Sequence, residues 1–258
     1  MGILNITPDS FYKSYGKDDE EEILSAAAAM IEQGAAIIDL GGQSTRPGSS
    51  VLSANEESAR VIPVIEKIHQ YFPGAILSID TYYSEVAGLA IAAGAHIVND
   101  ISGGNMDAAM IPMVSKLKVP YICMHMRGTP QTMQADPQYN NVTTEVLDFF
   151  IQKIEECRLA GIHDVIIDPG FGFGKTTGHN FKLLKDLSAF KMTGRPILAG
   201  ISRKGMVYKT LNIKAAEALN GTTVLNTLAL QNGANILRVH DVKEAREAIE
   251  LYEVYQRV

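Results

Sequence analysis

Short apolar segments alternate with longer amphipathic segments along the whole chain. Short apolar runs are typical of strands that are buried on both faces, as in a parallel sheet. The longer segments repeat apolar residues at i, i+3 and i+4, which predicts helices. The predicted strands are Gly2–Asn5, 76–80, 120–124, 196–200 and the apolar runs that follow Gly34, Gly94, Gly161 and Gly233. The predicted helices are 20–33, 55–71, 84–93, 107–116, 143–159, 180–187, 215–231 and 242–256.

A repeated Gly-Ala-x-Ile pattern organises these elements, with copies that begin at Gly34, Gly94 and Gly233. The glycine is expected where a helix ends, because that position usually needs a positive φ. Strands and helices that alternate in this way predict an α/β protein, a single (β/α)8 TIM barrel over residues 1–258. The first strand begins at or near residue 1, so we expect that a segment upstream of it is missing.

The other architecture considered is a doubly wound open sheet. That fold would place a glycine-rich nucleotide turn after the first strand. The sequence NITPDS at 5–10 is not such a turn, and it favours the barrel.

Composition excludes several classes of function. The formal net charge is −6 and no basic tract is present, which argues against nucleic acid or an anionic membrane as a partner. No apolar run approaches the roughly 18 residues of a membrane span. Cys123 and Cys157 lie far apart and in no metal-ligand spacing, so we expect reduced thiols in a cytoplasmic protein.

Polar residues end every predicted strand. A barrel brings the carboxyl ends of its strands to one mouth, where barrel enzymes keep their chemistry. The first two βα loops, 7–19 and 41–52, are long and rich in Gly, Pro, Ser and Asp, and loops of this kind are often functional. The sequence therefore predicts an active site at the C-terminal face. The strand-end residues are Asn5, Asp39, Asp80, Asn99, Asp100, His125, Asp168, Ser202, Lys204, Arg238 and His240.

The segment 168–176 only superficially resembles a phosphate-binding loop. The nucleotide motif needs a glycine five positions before its Gly-Lys pair, and Pro169 stands there. We interpret the segment as a glycine-rich turn that follows Asp168.

Eight short motifs, in order along the whole chain, resemble those of the dihydropteroate synthases. They are NITPDSF at 5–11, GGQSTRPG at 41–48, SIDT at 78–81, NDISGG at 99–104, MHMRGTP at 124–130, DPGFGFGK at 168–175, SRK at 202–204 and RVHD at 238–241. The resemblance implies a Mg2+-dependent transferase of folate synthesis. Such an enzyme joins p-aminobenzoate, which sulfonamides mimic, to a dihydropterin that carries a hydroxymethyl diphosphate.

The resemblance also implies a division of labour among the site residues. Asp80, Asn99, Asp168 and Lys204 would bind the pterin, with Met124 as a further contact. Arg238 and His240 would bind the diphosphate together with Arg46, Val239 would be a further substrate contact, and Asn5 would bind Mg2+. Thr45, Pro47, Phe173 and Ser202 would form the wall of the aminobenzoate pocket. Asp80, Asp168, Lys204, Arg238 and His240 are the expected catalytic residues.

The family's expected mechanism begins with departure of the diphosphate, after which the neutral aromatic amine attacks the methylene. The family is usually dimeric, and the last two predicted helices, 215–231 and 242–256, would form the homodimer contact.

Three alternatives were weighed against this interpretation. A pterin-binding methyltransferase would share the pterin residues but would not need Arg238 and His240 for a diphosphate. A Schiff-base aldolase would use Lys204 covalently, and a non-catalytic pterin-binding barrel would lack some of the anion-binding residues.

Overall fold

The structure is a computed structural model, which describes residues 1–6, 17–43 and 51–258. Most of the two predicted long βα loops lies outside these residues. The eight strands each fall on a predicted apolar run. They are β1 Gly2–Asn5, β2 Ile37–Gly41, β3 Ile76–Asp80, β4 Ile97–Asp100, β5 Tyr121–Met124, β6 Val165–Asp168, β7 Leu198–Ala199 and β8 Ile236–Leu237.

Helices separate the strands in the described ranges. They are α1 Lys17–Glu32, α2 Ala54–Tyr71, α3 Ser84–Ala92, α4 Met110–Leu117, α5 Val142–Leu159, α6 Thr177–Lys185, α7 Gly205–Leu211, α8 Leu219–Gln231 and α9 Val242–Arg257, with 3-10 turns at Leu187–Thr193 and Ala215–Glu217.

In the last third of the chain, one predicted helix is shorter than expected and one helix was missed. The predicted helix at 215–231 is a 3-10 turn followed by α8, and α7 was not predicted at all. Helix α7 has 7 residues and begins with Gly205, so its apolar period is too short to stand out from a loop.

The strands close into a parallel barrel, as predicted. Strands β1 to β6 pair in sequence order and β7 pairs with β8. Two parallel bridges join the six-stranded and two-stranded parts into a ring. Ile167 on β6 pairs with Ile197 just before β7, and Gly2 on β1 pairs with Val239 just after β8, which is the closing joint of the barrel. Backbone hydrogen bonds of 2.9 Å run across the closing joint, from Ile3 N to Val239 O and from Val239 N to Met1 O.

Successive side chains of each strand point alternately to the two sides of the barrel wall. One set of side chains packs under the helices in the main core, and the other set points into the barrel. An apolar layer blocks the interior, formed by Ile97, Ile122 and Leu198 with the partly buried Met1, Ile37, Ile166 and Ile236. Two residues further along these strands stand Asp39, Asn99, Met124, Asp168 and Arg238. Because side chains repeat every second residue, these five face the interior above the apolar layer.

The repeated glycines lie where preceding helices end, as the sequence predicts. Gly34, Gly94, Gly161 and Gly233 all have φ between 82° and 112°. This left-handed region is unfavourable for residues with a Cβ, which explains why the pattern repeats with glycine.

Both cysteines are free and buried. In the described ranges, no helix has an apolar stretch long enough to cross a bilayer.

A buried carboxyl group on α2 makes the stability of the fold depend on pH. Glu57 is 0% exposed and Oε1 has no partner among the described residues, while Gln43 Nε2 lies 3.5 Å from Oε2. Burial raises the pKa of Glu57 to about 8. Between its ordinary pKa and about 8, the folded protein holds this proton and the unfolded chain releases it, so rising pH favours unfolding.

Glu57→Gln should therefore stabilise the protein at pH 8.5 by on the order of 2–4 kcal/mol, and much less at pH 5. Urea unfolding at the two pH values measures the difference. Glu66→Gln, at an exposed position of the same helix, is the control. Equal effects of Glu57→Gln at both pH values would show that Glu57 does not retain its proton on folding.

Candidate active site

The polar strand-end residues that the structure describes lie at the carboxyl end of the barrel, where most of them face the mouth. Asn5 on β1 is in register with Gly41 on β2, and Gly41 is in register with Asp80 on β3. The predicted substrate contacts Thr45, Arg46 and Pro47 lie outside the described residues.

Arg238 lies between two carboxylates in the barrel mouth. Its Nε donates to Asp39 Oδ2 at 2.6 Å, and its Nη2 donates to Asp80 Oδ2 at 2.6 Å. The same Asp39 oxygen also accepts from Asn99 Nδ2 at 3.1 Å. Asp39 had no role in the sequence prediction, and the structure shows that it joins the expected pterin residue Asn99 to the expected diphosphate residue Arg238.

The charges of this group stabilise one another. Burial raises the pKa of Asp80 above its ordinary value, with Arg238 acting against the shift and Asp39 adding to it. Burial alone would lower the pKa of Arg238, but Asp39 and Asp80 outweigh it and raise that pKa. Arg238 is therefore a permanent cation in the mouth.

Asp168 and Lys204 are two oppositely charged residues that attract each other in the mouth. Asp168 Oδ1 accepts from Gly170 N at 2.8 Å, and Lys204 Nζ donates to the Phe171 carbonyl at 2.6 Å. Lys204 Nζ also lies 4.6 Å from the centre of the Phe173 ring, which is a cation–π contact. Burial lowers the pKa of Lys204 to about 8, and the attraction of Asp168 opposes this shift. The pair offers a carboxylate and an ammonium group side by side.

A buried lysine that sequence reasoning missed holds the glycine-rich turn after β6. Lys175 Nζ lies 2.9 Å from His125 Nδ1 and donates to the carbonyls of Gly170 and Phe173 at 3.0 Å each. Burial lowers the pKa of Lys175 well below its ordinary value. His125, which also had no predicted role, is therefore part of the support for the turn that carries Asp168.

The turn leaves no room for side chains at two of its glycines. A Cβ on Gly170 would lie 2.0 Å from the His125 carbonyl oxygen, and one on Gly174 would lie 2.4 Å from the Arg127 carbonyl oxygen. The β5 and β6 loops thus pack backbone against backbone. This contact is the physical reason for the glycine spacing that looked like a nucleotide motif.

Apolar side chains line one side of the mouth. A separate cluster contains Met124 and Phe173, both predicted substrate contacts, and neither is more than 9% exposed. The remaining members are Tyr82, Ile101, Met126 and Met133. A flat, partly apolar ligand would find an apolar surface here, next to the charged pairs.

Asp100 follows Asn99 on β4 and faces the opposite side of the barrel wall. Its carboxylate accepts from the backbone of Ser102 and Gly104 at 2.7 and 2.6 Å and from Tyr121 Oη at 2.8 Å. The structure therefore assigns Asp100 to the support of the β4 loop.

Two contacts tie the β7 loop to the β8 loop. Ser202 Oγ lies 3.1 Å from His240 Nδ1, and Arg203 binds Asp241 through Nε and Nη2 at 2.9 and 2.6 Å. Arg203 has φ 54°, a left-handed conformation that this bidentate pair helps to hold. These contacts place Lys204 and His240 on neighbouring loops of the same mouth.

Val239, predicted to bind substrate, is not brought into the site. Its side chain is 2% exposed and belongs to the main core under the helices. Its backbone N–H and carbonyl both serve the closing joint of the barrel. Alternation along the strand explains this, because Arg238 points inward and the next residue points outward.

The oxygen of Asn5 is suitably placed for a hard cation. A Cβ on Gly41 would lie 3.8 Å from Asn5 Oδ1 and 3.7 Å from Asp80 Oδ2, so the glycine leaves space beside both oxygens. No group of three or more His, Cys, Asp or Glu side chains within the described ranges could hold a metal ion. An amide oxygen fits Mg2+, which binds to few protein ligands when phosphate oxygens and water supply the rest.

Comparison with known proteins agrees with this geometry. A family model described as pterin binding enzyme matches residues 1–240. The chain is 44% identical to the dihydropteroate synthase of Escherichia coli (strain K12), over 98% of this chain and 90% of that protein.

Solved structures show the same similarity. The Yersinia pestis dihydropteroate synthase, in a sulfonamide drug complex, superposes with a TM-score of 0.94 at 40% identity, covering 100% of this chain and 94% of that one. The Xanthomonas albilineans dihydropteroate synthase with 4-aminobenzoic acid gives a TM-score of 0.93 at 38% identity, covering 100% and 93%. The chain therefore belongs to the pterin binding enzymes and, among them, to the dihydropteroate synthase family.

Proposed function

We propose that the barrel mouth condenses p-aminobenzoate with a dihydropterin methyl diphosphate, yielding dihydropteroate and diphosphate. The observation that carries this proposal is the presence of two charged groups in one mouth, Asp168 with Lys204 and Arg238 with its carboxylates. The first suits the hydrogen-bonding edge of a pterin, and the second suits an anion. The family match and the relative that holds 4-aminobenzoic acid support the choice of substrates.

In this proposal, the pterin lies against Met124, and Phe173 beside it forms part of the wall of the aminobenzoate pocket. Asp168 accepts hydrogen bonds from the amino-pyrimidine edge, and Lys204 donates to the opposite side of the ring. Asn99 and Asp80 complete the polar contacts. A carboxylate that accepts two N–H groups forms strong, directional hydrogen bonds, so Asp168 contributes most to pterin affinity.

The diphosphate binds at the other side of the mouth, to Arg238 and to His240. When Mg2+ is bound there by Asn5 and the diphosphate oxygens, it neutralises charge on the leaving group. The bond between the pterin methylene and the diphosphate oxygen breaks, and its electron pair leaves with the diphosphate. The amine nitrogen then forms the new C–N bond and loses a proton to solvent. The carboxylates Asp80 and Asp168 stabilise the positive charge on the pterin between these steps.

The purified protein should form dihydropteroate from the two substrates in the presence of Mg2+. Chromatography of the product measures the reaction, and EDTA followed by added Mg2+ tests the metal requirement. The proposal fails if a protein with a cooperative unfolding transition forms no dihydropteroate. Product formation at the same rate in EDTA would remove only the Mg2+ part.

Binding of the two halves of the substrate should be separable by mutation. Asp168→Asn should weaken binding of a diphosphate-free pterin by about 30-fold or more, since a charge-assisted hydrogen bond is worth roughly 2 kcal/mol. Arg238→Lys keeps a positive charge between Asp39 and Asp80 but loses the planar set of N–H donors of the guanidinium group. It should weaken inorganic diphosphate about tenfold and change pterin affinity less than threefold.

Isothermal titration with each ligand separates these outcomes. Ser78→Ala is a suitable control, because Ser78 Oγ is buried and has no partner among the described residues. If both variants lose pterin affinity equally, the division between the two sides of the mouth is wrong.

We also propose a homodimer through α8 and α9, as the sequence analysis expected. Leu251, Val254 and Tyr255 on α9 are 61–73% exposed, and Val224 and Leu228 on α8 are 52% and 43% exposed. Leu251 and Tyr255 also line a groove of about 430 Å³ between the two helices. A second copy of the chain would cover this apolar surface.

Leu251→Glu should convert the dimer, about 56 kDa from two chains of 28.0 kDa, into monomer. Light scattering coupled to size-exclusion chromatography measures the mass. Leu159→Glu is a matched control, because Leu159 is 72% exposed on α5 and Leu251 is 73% exposed. A monomeric wild-type protein at micromolar concentration would contradict the dimer.

A further inference from the structure

The hydroxyl group of Ser202 forms two contacts with His240, and these contacts determine which atom accepts its proton. Ser202 is 3% exposed. Its Oγ accepts from the backbone N–H of His240 at 3.2 Å and lies 3.1 Å from His240 Nδ1. The family resemblance implies only that Ser202 forms part of the wall of the aminobenzoate pocket, and it does not account for this contact with His240.

A serine hydroxyl has one proton to donate and two lone pairs that accept. Among the described residues, His240 Nδ1 is the one acceptor within hydrogen-bond distance of Ser202 Oγ. If Nδ1 carried a proton, the buried hydroxyl would have to donate elsewhere or stay unpaired, which is costly. The hydroxyl therefore donates to Nδ1, and Nδ1 holds a lone pair.

The nearby aspartate does not compete for this nitrogen. Asp241 follows His240 and both of its carboxylate oxygens bind Arg203, at 2.9 and 2.6 Å. A carboxylate at Nδ1 would have required a proton there and reversed the arrangement. Because Asp241 is bound to Arg203, Ser202 is the hydrogen-bond partner of His240 Nδ1 among the described residues.

The imidazole is neutral in this setting. His240 keeps an exposed surface, and the desolvation that it does undergo, followed by the positive charge of Arg238, lowers its pKa to about 4, with Asp241 acting against the shift. A neutral imidazole has one N–H group. With Nδ1 accepting from Ser202, that N–H group is at Nε2.

We propose that Ser202 fixes His240 as the Nε2–H tautomer and so makes His240 a hydrogen-bond donor to the leaving diphosphate. Deprotonated diphosphate oxygens accept hydrogen bonds, so an Nε2–H attracts them and an Nε2 lone pair repels them. Ser202 is then a positioning residue that acts through His240. The part that concerns the diphosphate rests on the proposed function, whereas the tautomer itself does not.

Nuclear magnetic resonance of the protein labelled with ¹⁵N-histidine, without ligands at pH 7, tests the tautomer. Long-range ¹H–¹⁵N correlation should show His240 Nε2 protonated and Nδ1 unprotonated, with the signals assigned from a His240→Gln spectrum. Ser202→Ala should move both nitrogens toward a tautomer mixture, and Ser202→Thr, which keeps the hydroxyl, should restore the wild-type shifts. A protonated Nδ1 in the wild-type protein would overturn the proposal whether or not the chain is active and even if Ser202→Ala does not fold.

Titration with inorganic diphosphate and Mg2+ tests the consequence for binding. Ser202→Ala should weaken diphosphate about tenfold, as expected for loss of one hydrogen bond to a charged group, and Ser202→Thr should stay within about threefold of wild type. Ser78→Ala removes a buried hydroxyl that has no partner among the described residues, so it should change neither the spectrum nor the affinity. A shifted tautomer with unchanged diphosphate affinity would refute the donor role.

Discussion

The balance of buried charge inside the barrel mouth is the constraint on which the rest of the site depends. Asp39, Asp80 and Asp168 project into a space blocked from below by an apolar layer. A carboxylate in such a place is unfavourable unless a cation and hydrogen bonds accompany it. Arg238 lies 2.6 Å from two of these groups, and Lys204 provides the counter-charge for the third.

In our proposal, this balance links ligand binding to the stability of the site. The residues that stabilise one another in the ligand-free mouth are the ones that the proposal assigns to pterin and diphosphate. Removing Arg238 would leave Asp39 and Asp80 buried without the cation that lies between them, so its loss acts on the pterin side as well. A substitution by lysine keeps the charge and removes only the planar guanidinium donors, so it separates the effect on the diphosphate from the effect on the carboxylates.

Side-chain contacts between neighbouring loops hold the loops that carry these charges, and the loop sequences alone do not indicate these contacts. Lys175 joins the β5 and β6 loops, and the Arg203–Asp241 pair joins the β7 and β8 loops. Such supports fix the position of a side chain to within the tolerance that binding needs. Ser202 goes one step further, because in our proposal it sets which nitrogen of His240 bears the proton.

The sequence by itself determined the barrel and the composition of its mouth. The apolar runs, the Gly-Ala-x-Ile repeat and the polar strand ends are local patterns with period two or with a fixed turn, so they can be read from one chain. The eight motifs were sufficient to indicate the family. The pattern failed where it was short, as at α7, whose 7 residues begin with glycine.

Only the tertiary structure decided which residues touch. Asp39 and Arg238 are 199 positions apart, and no local period relates them. The motif RVHD suggested three substrate contacts, yet alternation sends Val239 into the core and its neighbours Arg238 and His240 into the mouth. In the sequence, Lys175 belongs to a segment that superficially resembles a phosphate-binding loop. In the structure, it lies beside His125, because the barrel brings the β5 and β6 loops together. Contacts across strands depend on register and closure, which are properties of the assembled barrel and not of any segment.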